Sequence, residues 1–368
     1  MITLDKKPGI NTEETPAFPN KIIKSAVIGA GAISKEHLSF LSKSENVDLV
    51  GVCDLSRIAA KYAQERFGAK GYFTDYQKML EVAKPDIVHI LTPANTHKKI
   101  ASDCLKAGIH VFCEKPIAPT YDEFHELYNL AQSYQRHLIE NQNYCFNKEI
   151  LAIKKLVADG IIGEVQEVEV RLVAPIRNGG AFADENLPNP IHQMPAGVIH
   201  DFITHLCSLI VRFIPDFQTC NALWSNHGGG DLFKYDDLDA VVIGGSSHAR
   251  IRFSCHTSPK CFSVIVRGSK GYVETDLFQP YLRCVIPRGG ELLSPMINHF
   301  INGCNFIGAT FSNFRNKIMQ QTAYEGIYTL LDETYEALIH EQDLPISFED
   351  MERTNKLINL LLLEAKKV

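Results

Sequence analysis

The strongest constraint on the fold is a regular alternation of short apolar runs with helical segments between residues 21 and 147. Runs such as VDLVGVCD and DIVHILTP are strand-like, whereas SRIAAKYAQERFG and HKKIASDCLKAG have helical spacing and end in glycine. This alternation is typical of a parallel sheet with helices on both faces, and nearly all-apolar strands suit a sheet that is buried on both sides. The sequence therefore predicts a doubly wound α/β domain in this part of the chain.

The pattern changes after residue 148 to strand-like runs joined by turns, such as HARIRFSCH and FSVIVRG. Strands that follow one another through short turns predict a largely antiparallel sheet. Helices are expected at 196–214 and at about 314–340 and 348–367. Residues 1–20 read as a flexible arm, residues 21–147 as the first domain, and residues 148–368 as a second α/β domain.

Two polar segments of the second domain are expected to form loops. Residues 175–195 are rich in proline, glycine and asparagine, and we expect them to select the substrate. The stretch WSNHGGGD at 224–231 contains three glycines and is interpreted as a mobile loop.

Composition excludes several classes of partner. The net charge of −6 argues against binding to a nucleic-acid backbone, and no apolar run approaches the length of a membrane span. The ten cysteines include no CxxC pair, and several lie in apolar runs, which favours buried free thiols in a reducing cytoplasm. A cytoplasmic protein that binds a small molecule is expected.

A glycine-rich turn follows the first strand. Gly29 permits a tight turn, and Gly31 lets a pyrophosphate approach the backbone at a helix N-terminus. Asp54 ends the second strand near the spacing at which an acid accepts hydrogen bonds from ribose hydroxyls, so NAD is the predicted cofactor. NADP stays possible because Arg57 could reach a 2′-phosphate. The alternative is that Asp54 only caps the next helix.

Two further segments carry polar groups of interest. Glu114 and Lys115 end an apolar strand just before a proline, and Asp201 and His205 lie one helical turn apart, where they can address one ligand together. The plainer alternatives are a solvated strand end and a solvated helix face. No HxxxH pair with an acid partner and no GxSxG elbow occur, so neither a zinc site nor a hydrolase nucleophile is predicted.

Five signals in order make the chain resemble the Gfo/Idh/MocA family of NAD(P)-dependent oxidoreductases, which includes glucose–fructose oxidoreductase and inositol dehydrogenase. They are the glycine turn with His37, LTPANTH at 91–97, EKP at 114–116, NQNYCF at 141–146 and DFITH at 201–205. The resemblance implies an N-terminal Rossmann domain and a C-terminal α/β domain whose largely antiparallel open sheet carries substrate contacts and builds a homodimer or homotetramer. The cofactor contacts that it implies are Gly29, Gly31, Ala32, Ile33, Asp54, Arg57, Thr92, Asn95, His97, Glu114, Lys115 and Asn143.

The resemblance also implies a reaction, namely NAD-dependent oxidation of a secondary alcohol in a sugar, a cyclitol or a sugar derivative. His205 would accept the hydroxyl proton, Lys115 would stabilise the developing alkoxide, and Asp201 would orient the substrate. Two alternatives are a redox-neutral glycosidase or lyase that oxidises its substrate transiently with NAD, and a non-catalytic NAD-binding sensor.

Three positions set the chain apart within this pattern. Cys145 and Ser208 depart from the residues that are common in the family, and we expect both to alter substrate contacts. His200 is an additional candidate for a substrate contact.

Overall fold

The computed structural model describes residues 21–179, 182–184, 189–230, 232–318 and 324–365. The predicted flexible arm at 1–20 and part of the predicted loop at 175–195 lie outside the described residues. Two sheets, one wholly parallel and one largely antiparallel, organise the described chain.

The first sheet has six parallel strands in the order β3-β2-β1-β4-β5-β6. Its strands are β1 (Ile23–Ile28), β2 (Val47–Cys53), β3 (Tyr72–Phe73), β4 (Ile87–Ile90), β5 (His110–Cys113) and β6 (Leu138–Glu140). The connecting helices are α1 (Ser34–Leu41), α2 (Arg57–Phe67), α3 (Tyr76–Ala83), α4 (His97–Lys106) and α5 (Tyr121–Ser133). The predicted doubly wound sheet is confirmed. Its strand order reverses between β1 and β4, which opens a crevice at their carboxyl ends.

Local sequence signals set the helix ends in this domain. Ser56 precedes α2 and its hydroxyl accepts a hydrogen bond from the Ala59 amide, and Gly68 ends the same helix with φ +74°. The Asp75 carboxylate accepts bonds from two amides of the first turn of α3, and the Thr120 hydroxyl accepts one from the first turn of α5. Side-chain caps of this kind stabilise a helix by about 1 kcal/mol each.

The second sheet has seven strands in the order β13-β12-β11-β7-β10-β9-β8, and of these neighbouring pairs only β7–β10 is parallel. Its strands are β7 (Val165–Val173), β8 (Phe217–Ser225), β9 (Asp237–Gly244), β10 (His248–Ser254), β11 (Cys261–Gly268), β12 (Tyr272–Asp276) and β13 (Arg283–Val285). The helices of this part are α6 (Lys148–Ala158), α7 (Ile199–Phe213), α8 (Gly290–Ile318), α9 (Glu325–His340) and α10 (Phe348–Ala365). The prediction of a largely antiparallel second sheet is confirmed, and α7 packs on β7 and α10.

The helix predicted at about 314–340 is wrong in its bounds. Helix α8 is 29 residues long and ends at Ile318, and α9 begins only at Glu325. The polar and apolar faces of α8 are reversed relative to an ordinary amphipathic helix, so the hydrophobic pattern of the sequence does not reveal it. The Asn302 side chain exchanges two hydrogen bonds with the backbone of Cys284 in β13, whereas Phe300 and Phe311 are exposed.

The segment predicted as a loop at 224–231 begins inside β8. Trp224 is 1% exposed, and its indole N–H donates to the Leu361 carbonyl in α10 at 3.0 Å. Only the part after Ser225 leaves the strand.

Two further expectations drawn from the sequence concern the cysteines and membrane-spanning segments. None of the ten cysteines forms a disulfide in the described chain, and seven of them are buried. None of the described helices combines the length and apolar character that crossing a bilayer demands.

Candidate functional site

A cavity of about 490 Å³ opens between the carboxyl ends of the first sheet and helix α7. This volume lies in the usual range for small-molecule sites. The first domain contributes predicted residues to its lining, namely Ala32, Ile33, Thr92, Asn95, Glu114, Lys115 and Asn143. The second domain contributes Asp201 and His205 from α7. The described structure therefore brings the three predicted catalytic residues and most of the predicted cofactor residues to one cavity.

The glycine turn lies beside this cavity. Gly29 has φ +101°, and a Cβ at that position would lie 2.7 Å from the Leu91 carbonyl oxygen, so only glycine fits. A Cβ on Gly31 would meet no described atom within 4 Å, so the backbone there is open to a ligand. A turn of this shape before the N-terminus of α1 fits the pyrophosphate of a dinucleotide.

Asp54 is at the end of β2 and fixes this turn. Its two carboxylate oxygens accept hydrogen bonds from the Ala30 and Ser56 amides, each at 2.8 Å. An ionised carboxylate has about four acceptor positions, so it retains the capacity to accept ribose hydroxyls. The exposed Arg57 guanidinium donates to the Tyr72 hydroxyl at 3.3 Å. Both residues lie outside the lining of the cavity described above.

Lys115 joins the two domains. Its ammonium group donates to the backbone oxygen of Asp201 at 2.7 Å and to the carboxylate of Asp201 at 2.9 Å. Its side chain is 13% exposed. Burial alone would lower the pKa of Lys115, but the charges of Asp201 and Glu114 hold it above its ordinary value. The lysine is therefore a fixed cation at the wall of the cavity.

Glu114 is a buried carboxylate with several donors. It accepts hydrogen bonds from the Asn141 amide group at 2.6 Å and from the Lys115 backbone N–H at 3.2 Å. Burial alone would raise the pKa of Glu114, but the His37 ring and the charge of Lys115 hold it below its ordinary value. Glu114 is thus ionised and held in place beneath the cavity.

A buried chain of hydrogen bonds extends from Glu114 to Ser25 in β1. His37 Nε2 lies 3.4 Å from Glu114, and His37 Nδ1 lies 3.0 Å from His89 Nδ1. His89 Nε2 lies 2.9 Å from the Tyr335 hydroxyl, which lies 2.7 Å from Ser25 Oγ. If each donor points toward the Glu114 carboxylate, every ring nitrogen and hydroxyl in this chain has a hydrogen-bond partner. The chain ties α9 to the first sheet and to Glu114.

His205 is 7% exposed, and its ring meets the Tyr144 ring edge-on at 4.7 Å between centroids. Burial, and then the positive charge of Lys115, hold the pKa of His205 well below its ordinary value. Within the described ranges, His205 Nδ1 has no hydrogen-bond partner. The imidazole is therefore neutral near pH 7 and can accept a proton.

His97 lies behind the cavity. Its two ring nitrogens lie 2.7 Å and 2.8 Å from the backbone oxygens of Thr92 and Pro116, so the ring connects two loops that reach the cavity. In the described chain His97 is not part of the cavity lining. We assign it a positioning role for these loops.

The three positions singled out by comparison with the family pattern also lie off the cavity lining of the described residues. Cys145 is buried beside Arg212, and the Ser208 hydroxyl donates to the His205 backbone oxygen at 3.2 Å. His200 is buried, which lowers its pKa to about 4.

Sequence reasoning missed several lining residues. Asn141 and Tyr144 belong to the NQNYCF stretch that also contains Asn143, so the motif itself could have indicated them. Asn143 Nδ2 and Asn141 Oδ1 have no partners among the described residues, which fits a polar ligand in this cavity. Tyr324 and Phe262 also line it, but they come from distant segments without a local signal.

Comparison with known proteins agrees with this geometry. Residues 23–142 match the model of the Gfo/Idh/MocA oxidoreductase family, described as an NAD-binding Rossmann fold. An uncharacterized oxidoreductase of Schizosaccharomyces pombe (strain 972) is 32% identical over 261 residues, covering 68% of this chain and 69% of the relative. The chain belongs to the Gfo/Idh/MocA family. Its N-terminal domain is therefore the NAD-binding Rossmann domain of that family.

Other relatives are similar over shorter stretches. D-glucoside 3-dehydrogenase of Escherichia coli (strain K12) is 29% identical over 211 residues, covering 56% of this chain and 58% of that protein. Glycosyl hydrolase family 109 protein 2 of Akkermansia muciniphila is 29% identical over 160 residues, covering 41% of this chain and 34% of that protein. The chain thus spans between a third and three fifths of the length of these two relatives.

Solved structures share the whole fold. The WlbA dehydrogenase of Bordetella pertussis, in complex with NADH and UDP-GlcNAcA, superposes with a TM-score of 0.76 at 17% identity, covering 95% of this chain and 97% of that one. A myo-inositol dehydrogenase of Corynebacterium glutamicum superposes with a TM-score of 0.72 at 20% identity, covering 94% and 97%. Both likenesses establish the fold.

Proposed function

We propose that the protein is an NAD-dependent oxidoreductase that acts on a secondary alcohol or ketone of a sugar, a cyclitol or a sugar derivative. The observation that carries this proposal is the meeting of Lys115, Asp201 and His205 around one cavity. The cavity is next to the glycine turn that fits a dinucleotide. The names of the E. coli and C. glutamicum relatives, a glucoside dehydrogenase and an inositol dehydrogenase, support the substrate class.

Bound NAD would supply the hydride acceptor, and the residues of the chain would handle the proton and the charge. His205 is neutral and can take the proton of the substrate hydroxyl. The ammonium group of Lys115 is held as a cation, so it can stabilise negative charge on the same oxygen. Asp201 fixes Lys115 through two hydrogen bonds, which adds a positioning role to the substrate contact that the sequence predicts.

We further propose that NAD is preferred over NADP. The Asp54 carboxylate lies at the end of β2 and holds the glycine turn through Ala30. A 2′-phosphate placed against this carboxylate would meet a like charge. Arg57 is engaged by Tyr72, which supports the same preference.

A second candidate function is redox-neutral. The relative from A. muciniphila is named a glycosyl hydrolase, which favours an enzyme that uses NAD only transiently to cleave a glycoside or eliminate a substituent. A non-catalytic NAD-binding sensor would not require a buried base and a fixed cation at one cavity.

A panel of sugars, cyclitols and nucleotide sugars, assayed separately with NAD and NADP, tests the proposal. Steady accumulation of NADH with one of them is expected for a dehydrogenase. Product formation without NADH would favour the redox-neutral enzyme. Tight NAD binding with formation of neither NADH nor product would favour the sensor.

We also propose that the protein assembles into a homodimer or homotetramer through its second sheet. Leu223, Val241 and Ile243 project from β8 and β9 and are 61%, 41% and 40% exposed. Exposed apolar side chains on neighbouring strands are typical of a face that another subunit covers. Light scattering at micromolar concentration should report a dimer or tetramer, and a monomer would contradict the proposal.

A further inference from the structure

A cluster of two histidines and two aspartates lies at one end of the second sheet, apart from the cavity. His227 follows β8, Asp236 and Asp237 are at the start of β9, and His256 follows β10. The side chains of Asp236 and Asp237 are 0% and 5% exposed, whereas that of His227 is 52% exposed. The cluster is thus buried on its acidic side and open to solvent on one side.

Each carboxylate binds an arginine through its Oδ2, and both oxygens of Asp236 also accept the His227 backbone N–H, at 2.8 Å (Oδ1) and 3.0 Å (Oδ2). Asp236 Oδ2 accepts a hydrogen bond from Arg177 at 2.5 Å, and Asp237 Oδ2 accepts one from Arg252 at 2.9 Å. Asp237 Oδ1 is buried and accepts no hydrogen bond from any residue in the described ranges. A buried carboxylate oxygen without a donor is costly, which indicates that something not yet accounted for binds there.

Apart from one long hydrogen bond between His227 and Asp236, the spacing of the inner atoms fits a shared ion. His227 Nδ1 lies 3.4 Å from Asp236 Oδ1 and 3.5 Å from Asp237 Oδ2. His256 Nδ1 lies 3.9 Å from Asp236 Oδ1 and 3.8 Å from Asp237 Oδ1. The two longer separations exceed hydrogen-bond distances. Ligands bound tetrahedrally to zinc at about 2.0–2.1 Å lie roughly 3.3 Å apart, so small side-chain movements would complete the site.

We propose that His227, His256, Asp236 and Asp237 form a binding site for Zn²⁺. Two imidazoles and two carboxylates are ligands that zinc accepts, and the arginines would act as hydrogen-bonding partners of the ligating carboxylates. Arg177 also donates to the His227 backbone oxygen at 2.9 Å, so it holds the turn after β8. The ion would brace that turn and would take no part in the reaction.

Zinc binding to the full chain tests this inference. The tag-free protein is stripped with a chelator, exchanged into chelator-free buffer and titrated with ZnCl₂ by calorimetry, and also with CoCl₂ by absorbance. We expect one Zn²⁺ per chain and a tetrahedral cobalt spectrum without a thiolate charge-transfer band, because the proposed ligands include no cysteine. Metal should also raise the melting temperature.

Variants locate the ion. His227→Ala and His256→Ala should each weaken zinc binding by at least about tenfold, as loss of metal-supporting groups typically does. His248→Ala is the matched control, because His248 is 45% exposed and lies 3.7 Å from Glu167 on the same sheet. Circular dichroism of each variant verifies the fold. An unmetallated wild type, a thiolate spectrum, or equal zinc affinity in His227→Ala and wild type would overturn the inference.

Discussion

Replacing Lys115 by methionine removes an ammonium group while keeping a side chain of similar length. The group makes hydrogen bonds of 2.7 Å and 2.9 Å to Asp201 and is largely buried, so it is already fixed before substrate binds. Loss of one such preorganised donor to a developing oxyanion costs about 10²–10³ in turnover, or roughly 2.7–4 kcal/mol. We expect a loss of this size in kcat, with NAD affinity nearly unchanged.

The same substitution has two further consequences. The Asp201 carboxylate, which is 28% exposed, loses its charged partner. The free energy of unfolding should therefore fall by about 1–3 kcal/mol. The charge of Lys115 also depresses the pKa of His205, second to burial. In Lys115→Met that pKa should rise, and because the neutral imidazole is the base, the acid limb of kcat/KM for oxidation should move to higher pH.

Two control variants separate these effects. Lys115→Met/Asp201→Asn should recover stability without recovering turnover, because the unpaired carboxylate is gone while the donor is still missing. Lys98→Met removes a lysine that pairs with Glu123 and Glu126 away from the cavity, and should leave kcat unchanged. Steady-state rates, NAD calorimetry and thermal melts report the three quantities. A folded Lys115→Met enzyme with near-normal kcat would refute the reasoning.

Four further outcomes are expected. His205→Asn should lower turnover by roughly 10²–10⁴-fold, measured by steady-state kinetics at a pH at which the His205 imidazole of the wild type is neutral. Gly29→Ala should destabilise the fold by about 1–3 kcal/mol in denaturant unfolding, because φ at this position is +101° and a Cβ would meet Leu91. Gly31→Ala should keep the melting temperature of the wild type and weaken NAD binding, as measured by calorimetry. The wild type should bind NAD more tightly than NADP, and Asp54→Ser should reduce the difference between the two affinities. Tyr335→Phe should cost about 1–3 kcal/mol of unfolding free energy by leaving Nε2 of the buried His89 ring without its hydrogen-bond partner.

Much of the fold could be predicted because its signals are local. The alternation of apolar runs and helical segments defines the parallel sheet, and caps such as Ser56 and Gly68 mark helix ends within a few residues. Helix α8 escaped prediction because it turns asparagines toward β13 and phenylalanines toward solvent, the reverse of an ordinary amphipathic helix. Its Pro295, Gly303 and Gly308 also read as helix breakers.

The candidate site likewise contains residues that the sequence could predict and residues that it could not. Lys115, Asp201 and His205 could be proposed because they lie in motifs, and the i, i+4 spacing of the last two predicts a common face. The bonds from His37 through His89 to Tyr335 could not be predicted, since they join residues up to 246 positions apart. Partners of this kind are set by how α9 returns to the first sheet, which no short pattern encodes.

The most direct test of the account follows the hydride itself. The substrate found in the panel is deuterated at its carbinol carbons and incubated with NAD and the wild-type enzyme, and the products are analysed by NMR. The account predicts that deuterium accumulates at C4 of the nicotinamide ring of NADH, in proportion to ketone formed, and that His205→Asn slows this transfer. Deuterium that stays in the carbon skeleton of the product while NAD is recovered unchanged would contradict a dehydrogenase.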